Sequence, residues 1–396
     1  MNKRVKERIK QIQEEYENFH AVFDNMKNAV LQKENLITRK ARHPLFEIEP
    51  FEALIRNEFI TEDERYALFL QETDQINPES EKLYTFVIDP ENNQIVHRIR
   101  YDENNNCYET IFWYEDNCHK SMQRYIHTKH PYHHGIICYT FFKNGLPDLY
   151  LKCQYSKVLS KKYKIEDGRI TGYRQQHTFF SYTSDVTFKY DASGAIDVIK
   201  ESGKDAGILR ERPEILFKRP EHNQTIENTF KRIEDFLFQR ISRQILKQVQ
   251  IEEKVYCLML EYTMPEAFPP ELAIGVSKDP EDSNETLKSH QWYTTNLRYL
   301  YDEYTIDLHD EQMQYIYLFY YRAYDFKEHK RETFEYWNDQ IRQVYVNVCR
   351  RLMDVDFSTC FNISEDYLVI ARGDVYDDSE YYYKQMKEYK NVKKTL

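Results

Sequence analysis

Four histidines within eight positions make "RYIHTKHPYHHGII" (124–137) the first place to look for chemistry. His127, His130, His133 and His134, with His119 upstream, have spacings that a metal ion could use. Zinc takes four N, S or O ligands in structural sites and three in catalytic ones, each oriented by a further hydrogen-bond partner. A metal-dependent hydrolase built on the His119–His134 cluster is therefore one reading. Pro131 counts against it. Proline breaks a helix, so the i, i+3 or i, i+4 pairing of helical histidines is closed to these side chains. No H-E-x-x-H occurs anywhere in the chain. The expectation is a solvated or partly packed loop, with no metal and no cofactor.

A second set of residues suits recognition rather than catalysis. "DVYDDSEYYY" (374–383) joins Asp374, Asp377, Asp378 and Glu380 to Tyr376, Tyr381, Tyr382 and Tyr383. Acids steer a basic partner and aromatic rings anchor it. The plainer reading is the solvated start of a helix. Further acid-rich stretches are "DPEDSNE" (279–285) and "DEYTIDLHDE" (302–311). Other motifs fail. Gly203-Lys204 lacks the P-loop context, because Val198 and Asp205 stand where Gly and Ser or Thr are needed. Glu252 and Lys254 form an E-x-K of the kind some nucleases carry, but the pattern is common by chance on charged segments.

The bulk of the chain sets limits on these readings. It has 396 residues, enough for two or three cores. No apolar run reaches the length of a membrane span, and the charged N-terminus has no apolar stretch behind it. Seven scattered cysteines without C-x-x-C read as reduced thiols, which points to a cytoplasmic protein. Nine glycines are few for phosphate-cradling loops. A net charge of −11 disfavours nucleic acid and favours a basic partner. The 34 tyrosines fit either an aromatic sheet core or sticky surfaces.

The elements that must position these residues divide into an α+β arrangement. Residues 1–80 read as a helical segment. Its first helix, over 2–35, carries Val5, Ile9, Ile12, Tyr16, Phe19, Phe23, Met26 and Val30 at heptad spacing. That stripe suits packing on its own domain, or a homodimer through the heptads that would make the protein a scaffold. Residues 81–203 read as an antiparallel β-meander of hairpin repeats, with Asn144-Gly145 as one turn. "TFVIDPENNQI" (85–95) and "TFKYDASGAI" (187–196) share Thr-Phe-x-x-Asp before a turn. Residues 204–222 read as a linker rich in proline and mixed charge. Residues 223–396 read as a mixed domain, with helices flanking a small antiparallel sheet. "QYIYLFYYRAYD" fits helix or strand equally.

The order helix, "KVYCLMLEY", "ELAIGVS", helical middle, Trp337-Asn338 helix and "FNISEDYLVIARGD" resembles a family of bacterial immunity-type domains of unknown function from polymorphic toxin systems. The resemblance covers roughly 223–396. The meander before it resembles antitoxin-like hairpin repeats. Glycines are fewer here and the meander is less regular. The resemblance implies a non-enzymatic protein that neutralises a cognate protein toxin by binding it. It supplies no catalytic residues.

Overall fold

The computed structural model describes residues 3–41, 48–55, 83–101, 106–127, 134–178, 182–205, 208–209, 213–264, 266–276, 311–325, 333–373 and 378–395. They form two compact units, Met1–Arg219 and Pro220–Leu396. The fold class is α+β. No described helix is long and apolar enough to cross a membrane.

The first unit is built on a 13-stranded sheet. Its strands follow one another in chain order: β1 (Ile37–Ala41), β2 (Tyr84–Asp89), β3 (Gln94–Tyr101), β4 (Cys107–Glu115), β5 (Cys118–Ile126) and β6 (His134–Lys143). The series continues through β7 (Leu146–Gln154), β8 (Lys157–Glu166), β9 (Arg169–His177), β10 (Thr183–Tyr190), β11 (Ile196–Asp205) and the short β12 (Ile208–Leu209). The last strand, β13 (Glu214–Lys218), pairs with β11. The segment expected to be a linker therefore closes the sheet, because "EILFK" alternates and buries Ile215 and Phe217.

Local chemistry explains the meander. Asn144-Gly145 and Asp167-Gly168 both hold positive φ at two successive residues, the backbone of a two-residue hairpin turn. Tyr155-Ser156 adopts the same backbone without a glycine, and helix α1 (Lys3–Glu17) seats on it through Gln13, whose Nε2 donates to the Ser156 carbonyl. The two Thr-Phe-x-x-Asp copies are physically equivalent. Phe86 and Phe188 enter the same core, while Asp89 and Asp191 each accept the backbone N–H two residues on.

Both faces of the sheet are apolar. One is covered by α1 and α2 (Phe19–Leu31), whose heptad residues pack on Ile111, Met122, Ile137 and Leu151. The predicted single helix is thus two, broken at Asn18, whose Nδ2 turns back onto the Glu14 carbonyl. Phe19 lies so close to Gly135 that a Cβ there would fall 2.6 Å from its ring. The stripe that could have formed a dimer seam is buried against the chain's own sheet. The opposite face gathers Phe86, Phe112, Tyr150, Tyr173 and Phe217, with Phe51 and, from the short helix α3 (Glu52–Ile55), Leu54 packed on it.

The second unit packs helices on a 3-stranded sheet of order β15-β14-β16. Here α4 (Ile226–Gln248) leads into β14 (Ile251–Tyr262) and β15 (Glu271–Val276). Two helices follow, α5 (Glu311–Asp325) and α6 (Phe334–Met353), then β16 (Phe361–Gly373) and α7 (Ser379–Thr395). The sheet is mixed, not antiparallel: β15 runs antiparallel to β14 but β16 runs parallel. Two helices between β14 and β16 supply the long crossover that a parallel return needs. The ambiguous "QYIYLFYYRAYD" is helix, because Met313, Ile316, Tyr317, Tyr320 and Tyr324 bury one face at helical spacing. Thr225 and Asn228 cap α4 reciprocally.

Each unit has its own core, so the 220–396 fragment should express in soluble form and unfold cooperatively in urea. Aggregation of the fragment beside soluble full-length protein would refute its independence.

Candidate partner-binding surface

The parallel pairing of β14 and β16 ends with Tyr262 opposite Gly373. Asp378 stands just before α7 and turns back onto this strand end. Its Oδ1 accepts the Gly373 N–H at 2.7 Å. Its Oδ2 accepts from the Tyr262 hydroxyl and from Arg342 Nε, both at 3.0 Å. The Tyr262 and Tyr382 hydroxyls are 3.1 Å apart, and the Tyr262 ring stacks on Tyr345. Burial and the Asp378 charge push the Tyr262 phenol upward. Burial alone would lower the Arg342 guanidinium, but its bond and attraction to Asp378 raise it. Asp378 is 5% exposed and Tyr382 fully buried. These two residues are corrected from surface contacts to internal clamps: their polar atoms are already bonded where α7 meets the sheet.

What stays outside is smaller. Glu380 and Tyr381 are exposed on the first turn of α7. Arg342 lies 5.4 Å from the Tyr381 ring centroid and 3.6 Å from Asp339. Asp339 and Tyr381 therefore share one guanidinium, while Glu380 pairs with Lys384 in an exposed i, i+4 contact worth little. Asp374, Tyr376 and Asp377 lie outside the described residues, as do 279–285 and 302–310. Sequence reasoning missed Asp339 and Arg342. Their i, i+3 spacing on α6 was visible, but nothing local linked them to residues some forty positions on.

The histidines do not converge. His119 is the second residue of β5 and His127 follows its end, so the strand's rise puts them roughly 25 Å apart. A zinc ion binds nitrogen at about 2 Å, so no single ion reaches both. His119 packs against Tyr114 and Phe142, and burial lowers its basicity. His127 meets the Tyr125 ring edge-on. His134 pairs with Tyr125 in the β5–β6 ladder, while His130 and His133 lie outside the described residues. Among the described residues, no group of three or more His, Cys, Asp and Glu could hold a metal. Glu252 and Lys254 are exposed on β14. None of the seven cysteines is in a disulfide.

Comparison with models of protein families, with curated proteins and with solved structures finds no match to this chain.

Proposed function

We propose that this protein is a cytoplasmic immunity-type binding protein, which neutralises a cognate basic toxin domain by covering it with the acidic, tyrosine-bearing face at the start of α7. The observation that carries this reading is the Asp378 clamp. By tying Gly373, Tyr262 and Arg342 to one carboxylate, it fixes the helix start with Glu380 and Tyr381 exposed, and Arg342 links Tyr381 to Asp339. A pre-organised face loses less entropy on binding. The net charge of −11 favours encounter with a basic surface, such as a nuclease toxin presents to nucleic acid.

The test is to search the neighbouring genes for a toxin domain and to measure its binding kinetics with this protein. Asp339→Asn with Glu380→Gln should slow association, leave dissociation nearly unchanged and reduce salt sensitivity, because exposed charges act over about 8–10 Å. Tyr381→Ala should instead speed dissociation, with a loss on the order of 2 kcal/mol if the ring is an anchor. Parent-like rates for both variants would move the interface elsewhere.

A further inference from the structure

A cavity of about 660 Å3 opens between α1, α2 and the sheet of the first unit. Its walls follow from the periods of their elements. Trp113 of β4, Lys120 of β5, and Tyr139 and Phe141 of β6 stand on one face of the sheet through period-two alternation. On α2, Val22, Met26 and Ala29 recur at helical spacing. Arg8 of α1 lines the remaining side.

The inner walls are apolar, and their polar groups are already engaged. Met26, Tyr139 and Phe141 are buried, while Val22 and Trp113 are half-buried. Lys120 Nζ meets Glu15 at 2.5 Å, and the Tyr139 hydroxyl donates to the same carboxylate at 2.7 Å. Trp113 Nε1 donates to Glu115 at 3.2 Å, which restrains the indole. Arg8 differs. Its guanidinium carbon lies 3.4 Å from the Phe141 ring centroid, and among the described residues no hydrogen bond or ion pair reaches that guanidinium. Burial and the charge of Arg4 both work against the cation. Asp148, whose charge favours it, is bonded to Lys162.

A half-buried guanidinium with open donors beside an apolar cavity suits a carboxylate. The planar fork offers two parallel N–H groups, and stacking on Phe141 leaves its edge open to donate. The apolar walls match a hydrophobic body, and the volume lies within the range of small-molecule sites. One unengaged cation calls for one negative charge, and Glu115 among the lining residues repels a second. We propose that this cavity binds a small monocarboxylate with an apolar body, its carboxylate held by Arg8 and its body seated on Trp113, Met26 and Val22. This site is independent of the proposed toxin-binding face, which lies in the other unit.

The test is calorimetric titration of the full chain with 3-phenylpropionate, octanoate, 3-phenylpropanamide and acetate, with tryptophan fluorescence as a second readout because Trp113 lines the cavity. Binding of 3-phenylpropionate or octanoate, with the amide and acetate weaker by about tenfold or more, is the expected result. The tighter of the two acids assigns an aromatic or an alkyl body. Arg8→Gln should weaken the acids about tenfold or more and leave the amide unchanged. The Arg8 guanidinium makes no hydrogen bond for this variant to break, so its circular dichroism should match the parent's. Ala29→Leu, at an exposed position of α2 and with near-equal helix propensity, fills space in the cavity and should weaken both acids. No binding of either acid at millimolar concentration would overturn the proposal. The amide or acetate binding as tightly as the acids, or affinities unchanged in folded Arg8→Gln and Ala29→Leu, would also overturn it.

Discussion

Asp378→Ala is expected to cost about 3–5 kcal/mol of stability, the range for removing one partner of a buried ion pair. The loss has identifiable parts. The Gly373 N–H and the Tyr262 hydroxyl lose their acceptor, and Arg342 is left without its buried counter-charge. Asn keeps the shape and can still accept hydrogen bonds, so Asp378→Asn should cost less, about 1–3 kcal/mol. Urea denaturation checks both: the midpoint should fall while the slope stays constant. The same variants separate an internal clamp from a surface contact. A contact residue would leave stability within about 0.5 kcal/mol and slow association with the partner. If Asp378→Asn does that, the buried carboxylate assigned here is wrong.

Asp378 also illustrates what the sequence allowed a reader to see. "DDSEYYYKQMKEYK" announces a helix start by its acids and closing lysines, and α7 begins at Ser379. Which acid turns inward is not a local property. It depends on Gly373 closing a parallel strand pair and on Arg342 of α6 arriving at the same point, contacts spanning five and 36 positions. The hairpins were legible because their signals are local: alternation, Asn-Gly, and Asp before a turn. The heptad stripe was legible as a stripe. Its partner was not, because Phe19 depends on the bare Cα of Gly135, more than a hundred residues away. Parallel pairing of β16 was invisible for the same reason, since strand direction is set by the crossover rather than by the strand's own residues.

The other large effect concerns Glu109, buried between α2 and the sheet. Its carboxylate meets His97 Nε2 at 2.9 Å, Lys27 Nζ at 2.5 Å and Arg124 Nη2 at 2.7 Å, and Arg124 reaches on to Asp24. One side chain of β4 thus ties together α2, β3 and β5. Burial by itself would raise this carboxyl, but the bonds from His97 and Lys27 and the Arg124 charge outweigh it and hold the group at about 2. The unfolded chain takes up this proton near the ordinary glutamate value, about 4.3, and the folded chain only near 2. The stabilisation is therefore present at neutral pH and is lost as pH falls through that window. Its size is on the order of 3 kcal/mol. Glu109→Gln removes the charge at every pH and strands Lys27 and Arg124, so at pH 7 it should destabilise by about 3–5 kcal/mol. Urea midpoints of parent and variant, followed from pH 7 to pH 3, should converge on acidification. Parallel curves across that range would mean that the Glu109 network does not carry the acid sensitivity of this unit.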